Sequence, residues 1–315
     1  MAHDPTLDRI AALAVRNDPR NALALADRAA AEGVDPAALA AVRALARFIA
    51  ADYPGAVTAS EEALLLSPPV AGSSDSGSGV TGSTDPSARL LACAARLMAS
   101  AGHVWAADEA RAEGLAAELW ELREGFVSAG RWGSGGGGPA AGPALPAFAV
   151  ALCVEALFAT GRVALAAQAL DAFFPGHDWS AEPLIVAGSA AGVEASGGDS
   201  IASIPFLPVR LLFFSGRSAE AEALLQRVLA RPEVRAEPVW CALGESLIGL
   251  CAGSRGDRAA ARRAESLAAG RYPSPRTYLE ASARILAAYG IAACGDLARA
   301  ADAVRAAGGA GLRRL

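Results

Sequence analysis

One submotif recurs seven times in this chain: a small residue, four further positions, then Ala. The pairs are Asn17/Ala22, Ala51/Ala56, Gly102/Ala107, Gly161/Ala166, Gly216/Ala221, Gly256/Ala261 and Gly295/Ala300. Each lies between two apolar, helix-favouring stretches. A small residue suits a tight turn between two helices, and Ala suits a point where helices approach closely. The chain therefore reads as a stack of helical hairpins, each too small to bury its own apolar face.

Composition agrees. Hydrophobic residues make up 53% of the chain but aromatics only 6%, so Ala, Leu and Val carry the apolar content. Ala and Leu favour helix, whereas a β sandwich draws on Thr, Ile, Tyr and Phe. The expected fold class is all-α: a superhelical array of about seven antiparallel hairpins, an α-solenoid with Gly/Ser/Pro-rich inserts.

The starts and stops are marked. Asp4-Pro5, Asp18-Pro19, Asp35-Pro36, Asp85-Pro86 and Ser274-Pro275 each place a capping side chain before a Pro, with Glu237-Pro238 a weaker version. The cap accepts a bond from an unpaired helix N–H, and Pro lacks only an N–H that the first turn does not use. Gly33, Gly102, Gly161, Gly216, Gly290 and Gly295 read as stops. First helices are predicted at 5–16, 36–50, 87–101, 145–160, 201–215, 238–253 and 275–290. Second helices are predicted at 19–32, 54–66, 103–124, 162–174, 217–231, 257–270 and 296–307. Pro205 and Pro208 should kink or shorten the fifth first helix.

Successive turns lie 34, 51, 59, 55, 40 and 39 residues apart, and the excess falls in inserts. Residues 68–86 and 131–146 are Gly/Ser/Pro linkers with too little apolar content to order themselves. An irregular insert covers 175–200. The predicted organisation is hairpins over 1–67, a linker over 68–86, a hairpin over 87–130, a linker over 131–146, and hairpins over 147–315.

The chain has 28 Arg and no Lys, and its net charge is −5, which argues against non-specific nucleic-acid binding. From Arg255 onward 11 Arg stand against five acids, a balance of +6, leaving −11 for the rest. No secretory signal and no unbroken apolar run of membrane length is present, so a soluble cytoplasmic protein is expected. Cys93, Cys153, Cys241, Cys251 and Cys294 form no CxxC pair and read as buried thiols.

No set of residues carries recognisable chemistry. GSGGGGPAAG at 133–142 follows no strand pattern, and without Lys there is no phosphate loop. Gly244-Glu245-Ser246-Leu247-Ile248-Gly249 misses the spacing of a nucleophile elbow. His177-Asp178-Trp179 is a single His beside a single Asp, and Arg255-Gly256-Asp257 coincides with a turn. The expectation is a chain that is not an enzyme, with no catalytic residue, cofactor or metal.

Residues 51–68, ADYPGAVTASEEALLLSP, resemble a tetratricopeptide repeat (TPR). The family's Gly-Asp-Tyr turn, paired Ala and closing Pro appear as Ala51, Asp52, Tyr53, Ala56, Ala63 and Pro68. Gly256, Asp257, Ala261, Ala268 and Pro273 repeat the pattern, while Ser60 and Glu265 stand where the family has a large aromatic. The Ala/Arg-rich stretches 215–233 and 294–315 also resemble the helical-repeat region of large LuxR-type transcriptional regulators of high-GC bacteria, without their ATP-binding and helix-turn-helix modules.

These resemblances imply a concave face lined by first helices, with the position six before each turn facing the groove. That position holds Arg96, Glu155 and Arg210, with Arg89 near Arg96 on the same helix. Arg89, Arg96, Glu155 and Arg210 are the candidate partner-binding residues for a protein or peptide ligand. The implied function is a non-catalytic interaction module, the sensor or scaffold part of a regulator. The alternative is a free-standing adaptor or chaperone-like scaffold. No direct nucleic-acid or membrane contact is expected.

Overall fold

The computed structural model describes residues 4–67, 86–103, 114, 117–122, 144–159, 161–173, 187–188, 200–201 and 206–307. Nearly all of these are helical. In chain order the helices are α1 (Pro5–Val15), α2 (Pro19–Ala31), α3 (Pro36–Ile49), α4 (Tyr53–Leu66), α5 (Pro86–His103), α6 (Ala144–Ala159) and α7 (Val163–Phe173). They continue with α8 (Leu207–Phe214), α9 (Ser218–Ala230), the single turn α10 (Pro232–Arg235), α11 (Pro238–Ser254), α12 (Arg258–Arg271), α13 (Tyr278–Ala293) and α14 (Leu297–Ala307). Residues 117–122 are also helical. Among the described residues the one extended pairing is a two-residue antiparallel ladder, Ala187 opposite Ile201 and Gly188 opposite Ser200.

The recurring submotif has one local structure. Asn17, Ala51, Gly161, Gly216, Gly256 and Gly295 all have positive φ. At each, the turn N–H donates to the carbonyl three residues back, and the next N–H to the carbonyl five back of itself. Ala51 to Phe48 and Asp52 to Arg47 are one such pair, at 3.0 and 2.9 Å. This double closure ends a helix by satisfying its last carbonyls. The residue after the turn opens the next helix, and the Ala four beyond it is buried: Ala22, Ala56, Ala166, Ala221, Ala261 and Ala300. Gly102 departs from the pattern, because α5 runs through it to His103, and Ala107 lies outside the described residues.

Asp4, Asp18, Asp35, Asp52 and Asp257 cap their helices through side-chain oxygens, at 2.8 to 3.3 Å from the N–H groups they satisfy. Asp85 is outside the described residues. Two expectations fail. The seventh first helix starts at Tyr278 with Thr277 as cap, rather than after Ser274-Pro275, because the Thr277 hydroxyl takes the Glu280 N–H at 3.3 Å. Gly290 does not end a helix. It lies inside α13, where it meets Gly249 and Gly253 of α11 at a crossing with no room for side chains. Pro208 sits in the first turn of α8, which has only eight residues. Most of both linkers and of the insert lies outside the described residues, but Pro86 opens α5, and residues 144–146, expected as linker, are the first turn of α6.

Burial divides the helices into two kinds. Three second helices bury a stripe of small residues, Ala22, Ala26 and Ala29 in α2, Ala56, Ala59 and Ala63 in α4, Ala261, Ala264 and Ala268 in α12, whereas α9 buries Leu224, Leu225 and Val228 beside Ala221. Spacing of three and four keeps each stripe on one face, and Ala lets the neighbouring helix come close. By contrast α3 and α11 are buried on almost every side. They are covered by their own partner helix and by the neighbouring units: α3 by α1, α2, α4 and α5, and α11 by α9, α12 and α13.

Candidate functional site

The candidate residues fall into two clusters. Glu155 lies in the last turns of α6, a helix whose other residues from Ala149 to Phe158 are all apolar. Only 3% of Glu155 is exposed, and its Oε1 accepts a hydrogen bond from Arg210 of α8. The Arg210 guanidinium also lies 4.5 Å from the centre of the Phe158 ring, a cation–π contact that offsets part of its lost hydration. Burial pushes the Arg210 guanidinium down, but the Glu155 charge and their hydrogen bond outweigh it and hold the group above its ordinary value.

Tyr278, at the start of α13, lies within electrostatic reach of this pair. Burial raises its phenol, and the Glu155 charge adds to the rise while Arg210 opposes it. The Tyr278 ring packs on Phe48 of α3 at 4.5 Å between centres. Four helices from distant parts of the chain thus meet around one ion pair. Among the described residues neither Glu155 Oε2 nor Arg210 Nε has a hydrogen-bond partner, and both are closed to solvent. A buried polar atom without a partner costs about 1–3 kcal/mol. The arrangement therefore keeps one acceptor and one donor in reserve.

Arg89 and Arg96 stand apart from that pair, one on each side of Cys93 in α5. Arg89 donates to the Ser67 carbonyl at the end of α4 and lies 3.5 Å from Glu118. Arg96 lies 3.4 Å from Glu61 of α4. The Cys93 thiol is pushed up to about 12 by burial first, then by the charge and hydrogen bond of Glu118, with the two arginines pulling the other way.

The position six before each turn has a common fate. Ala11, Leu45, Glu155 and Leu250 are buried, and Arg96 and Arg210 are half-buried. Tyr289, in the last unit, is 45% exposed. In the sequence pattern Asn17 has only a turn role and Glu237 only a cap role, and Phe48, Tyr278 and Glu280 have no site role. One signal was available: Asn17 stands where four other turns of this kind carry Gly.

Elsewhere a shallow concavity beside the turn into α14 is lined by Arg258, Arg262, Ile291, Cys294, Gly295 and Asp296, and Arg262 is already paired with Asp296 at 3.4 Å. Among the described residues no three His, Cys, Asp or Glu side chains converge as a metal site requires. None of the five cysteines is in a disulfide. No described helix is long and apolar enough to cross a membrane. Comparison with protein-family models, curated proteins and solved structures gave no match.

Proposed function

We propose that this chain is a TPR-like helical-repeat module that holds a protein or peptide partner, without catalysing a reaction and without touching nucleic acid itself. The observation that carries this reading is the repetition of one closure, positive φ followed by a buried Ala, at six turns. Units built this way stack as antiparallel hairpins, and such stacks present first-helix side chains along an inner face. Glu155 and Arg210 stand on first helices and hold an unused acceptor and donor, both closed to solvent in this conformation, which would suit the backbone or polar side chains of an extended or helical segment once exposed. As part of a LuxR-type regulator, the module would pass partner occupancy to a DNA-binding neighbour.

The test is to pan a random-peptide display library on the intact chain. Peptides whose affinity falls tenfold or more for Arg96→Glu or Glu155→Gln support the proposal. Peptides that bind the variants and the parent equally, or no enrichment at all, refute it. Glu155→Gln keeps the shape of the side chain but leaves the Arg210 charge unpaired, so its unfolding midpoint is measured beside its binding, and Arg96→Glu supplies the independent variant.

A further inference from the structure

Helices α1 to α3 touch α11 and α13 through polar contacts as well as apolar ones. Arg16, at the end of α1, lies 2.6 Å from Glu237 at the start of α11. The Asn17 amide donates to Glu280 of α13 at 3.2 Å, across 263 residues. Beneath them Phe48 meets Tyr278.

Asn17 and Glu280 add the long-range contact to a local role, and Glu237 makes it in place of one. Asn17 holds φ at 68°, a conformation that costs Gly least and that Asn accepts only at a penalty. Its side chain nevertheless reaches out of the turn. Glu237 occupies the cap position of α11 but makes no side-chain cap bond there. Glu280 divides its carboxylate, one oxygen accepting from the Arg276 N–H at 2.7 Å and the other from Asn17.

This seam differs from the others. Between α11 and α13 the contact is dry and backbone-close at Gly253 and Gly290. The contacts across the seam include a half-exposed ion pair, a hydrogen bond and an aromatic pair. Surface ion pairs contribute little and weaken with salt. On the near side of the seam α1 packs on α6, the helix that carries Glu155, and Glu155 Oε2 and Arg210 Nε gain hydration if that cover is lifted.

We propose that Arg16–Glu237 and Asn17–Glu280 form a latch. Its release swings α1–α3 away from α11–α13 and uncovers the Glu155–Arg210 pair for the peptide segment named above. The inference rests on the interaction-module reading, and its test separates the two.

Spin labels on Arg20→Cys and Ser274→Cys, both exposed, span the seam. Cys241→Ser and Cys294→Ser remove the two partly exposed native thiols, and the other three are buried. The parent should give one short distance with a small longer population. Arg16→Ala with Asn17→Gly deletes both polar contacts while keeping a residue that accepts positive φ, and the longer population should grow at least threefold. Raising NaCl to about 1 M should move the unsubstituted seam the same way, without any change that could disturb folding. A single unchanged distance in both experiments overturns the latch. If the seam stays shut while Glu155→Gln still abolishes peptide binding, the latch alone fails. If the seam opens and selected peptides bind the double variant no better, its role in admitting the partner fails.

Discussion

Gly253 of α11 and Gly290 of α13 meet backbone to backbone. A Cβ on Gly253 would fall on the Gly290 carbonyl, and one on Gly290 would stand 2.7 Å from the Gly249 carbonyl oxygen. Neither neighbour can yield, because both atoms belong to helix backbone. Gly290→Ala should cost about 2–3 kcal/mol, the range seen when an extra methyl group is forced into close packing. A fall in the urea midpoint of unfolding at unchanged slope would record it.

The turns give a prediction of the opposite sign. Ala51 holds φ at 59°, a conformation that penalises a residue carrying Cβ. Ala51→Gly should raise stability by about 1 kcal/mol or slightly less, since Gly also costs more entropy to order. Gly256→Ala should lower stability by about 1 kcal/mol, although its new methyl would meet nothing within 4 Å. Thermal melts of the two variants should shift in opposite directions.

The inner ion pair should behave as a unit. Arg210→Met strands Glu155 in an apolar setting and should destabilise by about 3 kcal/mol, since breaking a buried pair leaves an uncompensated charge. Glu155→Met with Arg210→Met should recover most of the loss. A double-mutant cycle by chemical denaturation measures the coupling, and strictly additive losses would contradict it.

Alkaline stability should fall early. Burial holds Cys93 up to about 12 and Cys251 up to about 11, from an ordinary 9.0, and holds Tyr53 up to about 12 from 10.0. Each group prefers its neutral form in the folded state. The stability this confers is complete below pH 9, where the unfolded thiols are also protonated. It is lost between about pH 9 and 12 as the unfolded chain ionises first. Unfolding midpoints should therefore drop through this window, and Cys93→Ala with Cys251→Ala should flatten the slope.

What the sequence by itself determined is the local grammar. Helices begin within one to three residues of their expected starts at almost every described unit, and six of the seven proposed turns have the conformation their small residues suggest. Caps and closures are bonds between residues two to five apart, so the residues that make them lie side by side in the text. The same locality misled at Gly290, where a glycine serves a neighbouring helix rather than its own chain direction. Packing alone brings Glu155 to Arg210 and carries Asn17 across to Glu280. Those partners are 55 and 263 residues apart. Their meeting depends on how the helices between them pack, and no single stretch of residues encodes that packing.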